Sequence, residues 1–250
     1  MDTKPHYAGP ALHAAVHNND IVQFEALVKQ SSNLGMYDNF GDAVVHVVVR
    51  DGKDGMLRIL AGAGADLNQA NDNGKGEIPL EIAFRNGDNE MIKHLVEAGA
   101  NINAKFKDGS TLLHNLVKAR NKEMIEFALD KGATFEQNRR GNTPLHIATQ
   151  LANTKPEHKQ EYTDIAVILT KRVDKFSTLF QPNLLRKTAY DIANKTGNKA
   201  IRDAINARSN DLLPGVGKAV ASLRAAVKNA ANASVTAGNE AVARATAMAR

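Results

Sequence analysis

Apolar residues recur along the chain in short bursts at three- and four-residue intervals, divided by glycines and polar turns. Leu80 and Ala83, like Leu145 and Ala148, sit three apart, and Met91, Ile92, Leu95 and Val96 follow at helical spacing. Met56, Leu57, Ile59 and Leu60 do the same. Such spacing places apolar side chains on one face of a short helix. Gly52 and Gly87 fall between two bursts, whereas Gly64, Gly99 and Gly132 follow the second burst, where a left-handed residue ends a helix. The pattern predicts helix–turn–helix units joined by tight connections.

The unit repeats. Aligned on four residues, six copies read Pro10-Ala-Leu-His13, Ala43-Val-Val-His46, Ile78-Pro-Leu-Glu81, Thr111-Leu-Leu-His114, Thr143-Pro-Leu-His146 and Thr188-Ala-Tyr-Asp191. Their spacings are 33, 35, 33, 32 and 45 residues. The next inward position is small in most copies: Ala15, Val48, Ala83, Leu116, Ala148 and Ala193. Threonine at the head of a copy suits an N-cap and proline the first helical turn. One such unit cannot bury its apolar face alone, so units must stack.

This motif, repeated in register, resembles the ankyrin repeat family over about residues 7–206, most closely in Gly76–Asn103 and Gly141–Ala148. The resemblance implies an all-α ankyrin-repeat solenoid of about six repeats: 7–36, 37–70, 71–103, 104–136, 137–174 and 183–208, within a domain of residues 1–208. It also implies that His13, His46, His114 and His146 tie each repeat to its neighbour. Glu81 and Asp191 depart from the family pattern at that slot. The first copy reads as an N-terminal cap and the sixth, ending near Arg208, as a C-terminal one.

Two stretches leave the register. About eight extra residues near 153–161, polar and with a proline, predict a surface loop or a short helix extension within the fifth repeat. Residues 209–250 form an alanine-rich tail, with 13 alanines from Asp211 to Arg250. There Val216, Val220, Leu223 and Val227 share one helical face, so we expect weakly packed helix.

Composition narrows the chemistry. Without cysteine there is no disulfide framework, thiolate metal site or cysteine nucleophile, which fits a reducing compartment, with a cytoplasmic location expected. The N-terminal decapeptide lacks an apolar h-region, so no cleaved secretory signal is expected, and the apolar run Val44–Val49, interrupted by His46, is far short of a membrane span. The slot histidines lie a full repeat apart, too far to share a metal ion, and His13 with His17 lacks a third ligand. Pro214–Lys218 imitates the end of a phosphate loop, but Leu212 and Ala219 stand where glycine and Ser or Thr are required. Asn232-Ala-Ser234 matches a glycosylation sequon only by chance, and no catalytic motif, metal or cofactor is expected.

Charge adds one candidate surface. Of the net charge of +5, the tail carries +3. In ankyrin-like stacks the residue four after the histidine slot projects from the concave face; here it is His17, Arg50, Arg85, Lys118, Gln150 and Lys195. Hairpin tips add Lys107, Arg139, Arg140 and Lys187. This basic row predicts a monomeric, non-enzymatic scaffold that binds an acidic protein partner. Asp42, Asp51, Glu77 and Asp108 lie near enough to neutralise part of it. The alternative is a basic groove for an anionic ligand, nucleic acid or phospholipid headgroups, with nucleic acid not favoured. Degenerate repeats with a polar tail also resemble effectors that intracellular bacteria deliver into host cells, with the tail as export signal.

Overall fold

The computed structural model describes residues 9–213, and the assignments made for Val216, Val220, Leu223, Val227 and the rest of the tail lie outside them. Helices alternate between two rows. The inner row comprises α1 (Gly9–His17), α3 (Val44–Arg50), α5 (Pro79–Asn86), α7 (Leu112–Ala119), α9 (Pro144–Thr154) and α12 (Ala189–Lys195). The outer row comprises α2 (Ile21–Gln30), α4 (Asp54–Gly62), α6 (Asn89–Glu97), α8 (Lys122–Asp130), α10 (Lys159–Arg172) and α13 (Lys199–Leu212). A short helix, α11 (Phe176–Leu179), lies in the connection before the sixth repeat. Each inner helix packs on its own outer helix and on the inner helices of adjacent repeats. Among the described residues there are helices but no strands.

The small inward positions explain how closely the rows approach. Ala15, Val48, Ala83, Ala148 and Ala193 are fully buried, and one continuous core runs from Leu12 to Ile205. Helix α3 is built almost entirely of buried valines, so stacking overrides their weak helix preference. Four of the six outer helices begin on side-chain caps: Asp20, Asp88, Asn121 and Asn198 each accept the N–H three residues on. Gly87 ends α5 in the left-handed conformation at φ 71°, as its position between two apolar bursts predicts.

Hairpins between repeats close over four residues, for example Asp38 to Asp42 and Phe106 to Ser110. The third repeat differs. Its hairpin closes from Asn71 to Glu77, and these two extra residues account for the 35-residue spacing. Gly41 sits where a Cβ would collide with the Asp72 backbone, which fixes the approach of one tip to the next.

The extra residues of the fifth repeat become helix, not loop. Helix α9 has 11 residues against eight in α5 and α7, and α10 has 14 against nine in α4, α6 and α8. A single 3₁₀ turn, Pro156–His158, joins them. The boundary drawn at residue 208 falls inside α13: Ser209 is buried, and the Arg208 guanidinium donates to the Val173 carbonyl at 2.9 and 2.8 Å.

Candidate protein-binding face

The inner helices are seated by their histidine slots. In repeats two, four and five, Nε2 lies 2.9, 2.8 and 2.9 Å from the carbonyl oxygens of Gln69, Asn142 and Lys187. Nδ1 accepts the N–H of Ala43, Thr111 and Thr143 at 3.1, 3.2 and 3.3 Å. A nitrogen facing a carbonyl carries the hydrogen and one receiving an N–H does not, so these rings are neutral Nε2–H tautomers. Burial lowers the pKa of all three, that of His114 to about 4. His13 makes the equivalent contact to the Asp42 carbonyl at 3.0 Å. Asp191, in the sixth copy, instead accepts from the Thr188 N–H and hydroxyl at 2.9 and 2.8 Å.

Four residues beyond each slot stand the predicted basic residues, and the structure supplies their partners. Arg50 pairs with Asp42 and Arg85 with Glu77, each inside its own repeat. Those acids are buried, at 3% and 10% exposure, while the arginines remain 41% and 49% exposed. Asn71 donates to the other Asp42 oxygen at 2.9 Å. Lys118 donates to Asn115 at 3.0 Å and lies 3.9 Å from Asp108, and His17 lies 3.4 Å from Asp51. The row is thus held on carboxylates of the protein itself.

The other predicted positions behave differently. The Lys107 ammonium donates to the Gly74 carbonyl at 2.8 Å. Arg139 lays its aliphatic stem over Gly109. Arg139, Arg140, Lys187 and Lys195 make no ion pair among the described residues. Arg140 rims a hollow of about 360 Å³ beside the exposed Leu184 and Leu185.

Several outer-row charges pair across repeats, beside the within-helix pairs Lys29–Glu25 and Lys93–Glu90. Lys93 reaches Glu123 at 3.3 Å, Lys131 reaches Glu97 at 3.2 Å, Lys122 reaches Asp164 at 2.8 Å, and Arg172 pairs with Asp130. Arg120 meets Glu161 at 3.0 Å and lies over the Tyr162 ring, so the lengthened α10 is fastened to the fourth repeat. Among the described residues no group of three or more His, Cys, Asp or Glu is placed to hold a metal ion, and no helix is long and apolar enough to cross a membrane.

A family model described as ankyrin repeats (three copies) matches residues 12–106 and 80–178. The chain belongs to the ankyrin repeat family. Ankyrin repeats are generally protein–protein interaction modules, so the fold carries that coarse function with it. Among solved structures, an ankyrin repeat domain from Acinetobacter baumannii AYE is similar at 22% identity and a TM-score of 0.64, over 79% of this chain and 97% of that one. Another crystallised ankyrin repeat protein is similar at 21% identity and 0.61, over 80% and 98%. At these identities the likeness concerns the fold alone. No curated protein matches the chain.

One feature of this face was not singled out from the sequence. A pocket of about 220 Å³ opens between the third and fourth repeats, with Phe84 and Phe106 at its apolar side and Glu77, Glu81 and Asp108 around it. Its only sequence signal was the departure from histidine at Glu81.

Proposed function

We propose that the concave, inner-helix face of this ankyrin stack binds a protein partner through acidic groups of that partner, and that the chain is a non-enzymatic scaffold. The observation that carries this reading is the anchoring of Arg50 and Arg85 on buried carboxylates. A guanidinium has five N–H donors, so one edge can rest on its own acid while the rest faces outward. Ordering the side chain beforehand lowers the entropy lost on binding. Lys118 is steadied in the same manner by Asn115. Arg139, Arg140, Lys187 and Lys195 extend the positive surface toward the last repeats, and Lys107 adds its charge at the fourth tip.

The test must leave the anchoring acids satisfied. Neutralising whole pairs, with D42N/R50Q, E77Q/R85Q and D108N/K118Q combined in the full chain, removes the row without stranding a buried charge. That variant should lose partners captured by the parent, whereas K29E/K93E/K131E on the outer side should keep them. Equal capture by both would overturn the concave-row reading. The anionic-ligand alternative predicts that heparin and RNA are bound alike, with affinity falling steeply as salt rises. An effector role adds delivery to a host cytosol, tested by a translocation reporter on chains with and without residues 211–250.

A further inference from the structure

The pocket between repeats three and four deepens that reading, on which it rests, by naming a second chemistry for the partner. In three other repeats the slot holds a neutral histidine that donates to a carbonyl of the following connection or hairpin, so the seam is closed and uncharged. In the third repeat the slot holds Glu81, an acceptor where its counterparts donate. Its Oε2 receives the Lys107 N–H at 3.2 Å. No hydrogen bond to Oε1 is made among the described residues.

The other charges around the pocket are already engaged. Glu77 is paired with Arg85. Asp108 accepts the Ser110 N–H at 2.8 Å and has Lys118 at 3.9 Å. The Lys107 ammonium donates to the Gly74 carbonyl, so its charge acts on Glu81 without a direct ion pair. Glu81 is therefore left as a half-buried carboxylate that makes no salt bridge among the described residues. Burial, with Asp108 adding repulsion, pushes its pKa up. Beside it Phe84 and Phe106 form a tilted pair, ring centroids 6.2 Å apart. Phe106 is buried and Phe84 partly so, leaving ring surface to the hollow.

We infer that this pocket receives an arginine side chain from a protein partner, its stem and guanidinium plane against Phe84 and Phe106 and its N–H fork on Glu81. The planar cation suits both walls: it lies on an aromatic surface and bridges a carboxylate in two-point fashion, which a compact ammonium does less well. A volume of about 220 Å³ suits one long side chain and not a folded ligand. The partner segment would thus carry an arginine anchor among its acidic groups.

Titration of the full chain, carrying ring-labelled phenylalanine, with N-acetyl-arginine amide tests this by NMR. The signals of Phe84 and Phe106 should shift saturably, at roughly millimolar concentration for so small a probe. The uncharged isostere N-acetyl-citrulline amide should leave them in place. Glu81→Gln should weaken the response about tenfold, the ratio expected for losing one charge-assisted contact. Glu81→His, which restores the residue of the neighbouring slots, should abolish it while the thermal melt is kept. Equal shifts with citrulline, shifts at other phenylalanines only, or an unchanged response in Glu81→Gln would each overturn the inference. Should Glu81→His fail to fold, Glu81→Gln alone decides. Loss of the arginine response alongside intact partner capture through Arg50, Arg85 and Lys118 would remove this pocket and leave the broader function standing.

Discussion

The two faces of the stack use the same kinds of charged residue to opposite ends. On the inner face from the second to the fourth repeat, the cation four residues past each slot is paired within its own repeat: Arg50 with Asp42, Arg85 with Glu77, Lys118 with Asp108. On the outer face several pairs cross from one repeat to the next, as Lys93–Glu123, Lys131–Glu97 and Lys122–Asp164 do, beside the within-helix pairs Lys29–Glu25 and Lys93–Glu90. Outer charges therefore help align neighbouring units. The ion pairs of Arg50, Arg85 and Lys118 lie within single repeats, although Asn71 of the next repeat also holds Asp42. A row of like charges in sequence says little about function until the location of its counter-ions is known.

The most severe way to break the comparison is to attack what both faces share. Ala83→Asp or Ala148→Asp places an uncompensated charge at a fully buried site where rows of helices touch, and should cost about 3–5 kcal/mol. Thermal melts should show the adjoining repeats unfolded. A melt like that of the parent would mean these positions do not face the neighbouring helix.

Acid should loosen the seams next. His114 is neutral in the fold with a pKa of about 4, against 6.5 in the unfolded chain. As pH falls the unfolded chain takes up this proton first, so stability is complete above about pH 6.5 and is lost progressively toward pH 4. For this one residue the loss amounts to ~3 kcal/mol. His46 and His146, also lowered by burial, act in the same direction. Urea midpoints should fall as pH is stepped down through this window, and more shallowly in His114→Asn, which keeps a donor but cannot charge.

A smaller effect separates the faces. Arg50→Ala strands the buried Asp42 carboxylate, and since Arg50 is itself partly exposed and screened, the cost should be about 1–2 kcal/mol. D42N/R50Q removes both charges and should recover much of it. If the single and double variants melt together, Asp42 is adequately held by Asn71 alone. Least of all, Lys131→Ala on the outer face should cost ~0.5 kcal/mol, because both members of the Lys131–Glu97 pair are well exposed. A double-mutant cycle with Glu97→Ala reads that coupling directly.

The fold was legible because its information is local and repeated. Capping threonines, small inward residues and left-handed glycines recur at one spacing, and each reports a backbone requirement. The length of the fifth-repeat insertion was legible too, but not its form, because Asn153–Glu161 is polar and gains helical order only by extending two helices that are already packed. The basic row was readable from the slot register. What could not be read was that Asp42 and Glu77 are buried beneath it, since burial depends on how hairpins lean against their neighbours. The Phe84–Phe106 pocket escaped for the same reason: its walls come from different repeats, and only stacking brings them together.

The lengthened pair α9 and α10 has a mechanical consequence. A stack in which units touch only their neighbours yields to a pulling force one unit at a time, starting where the grip is weakest. Four of its antiparallel pairs are short and of similar length, whereas α9 and α10 run an extra turn against each other and are clasped by Arg120 over Tyr162. Drawn out from its ends, the chain should therefore lengthen in small, even steps until this thicker segment, which resists longest and gives way last.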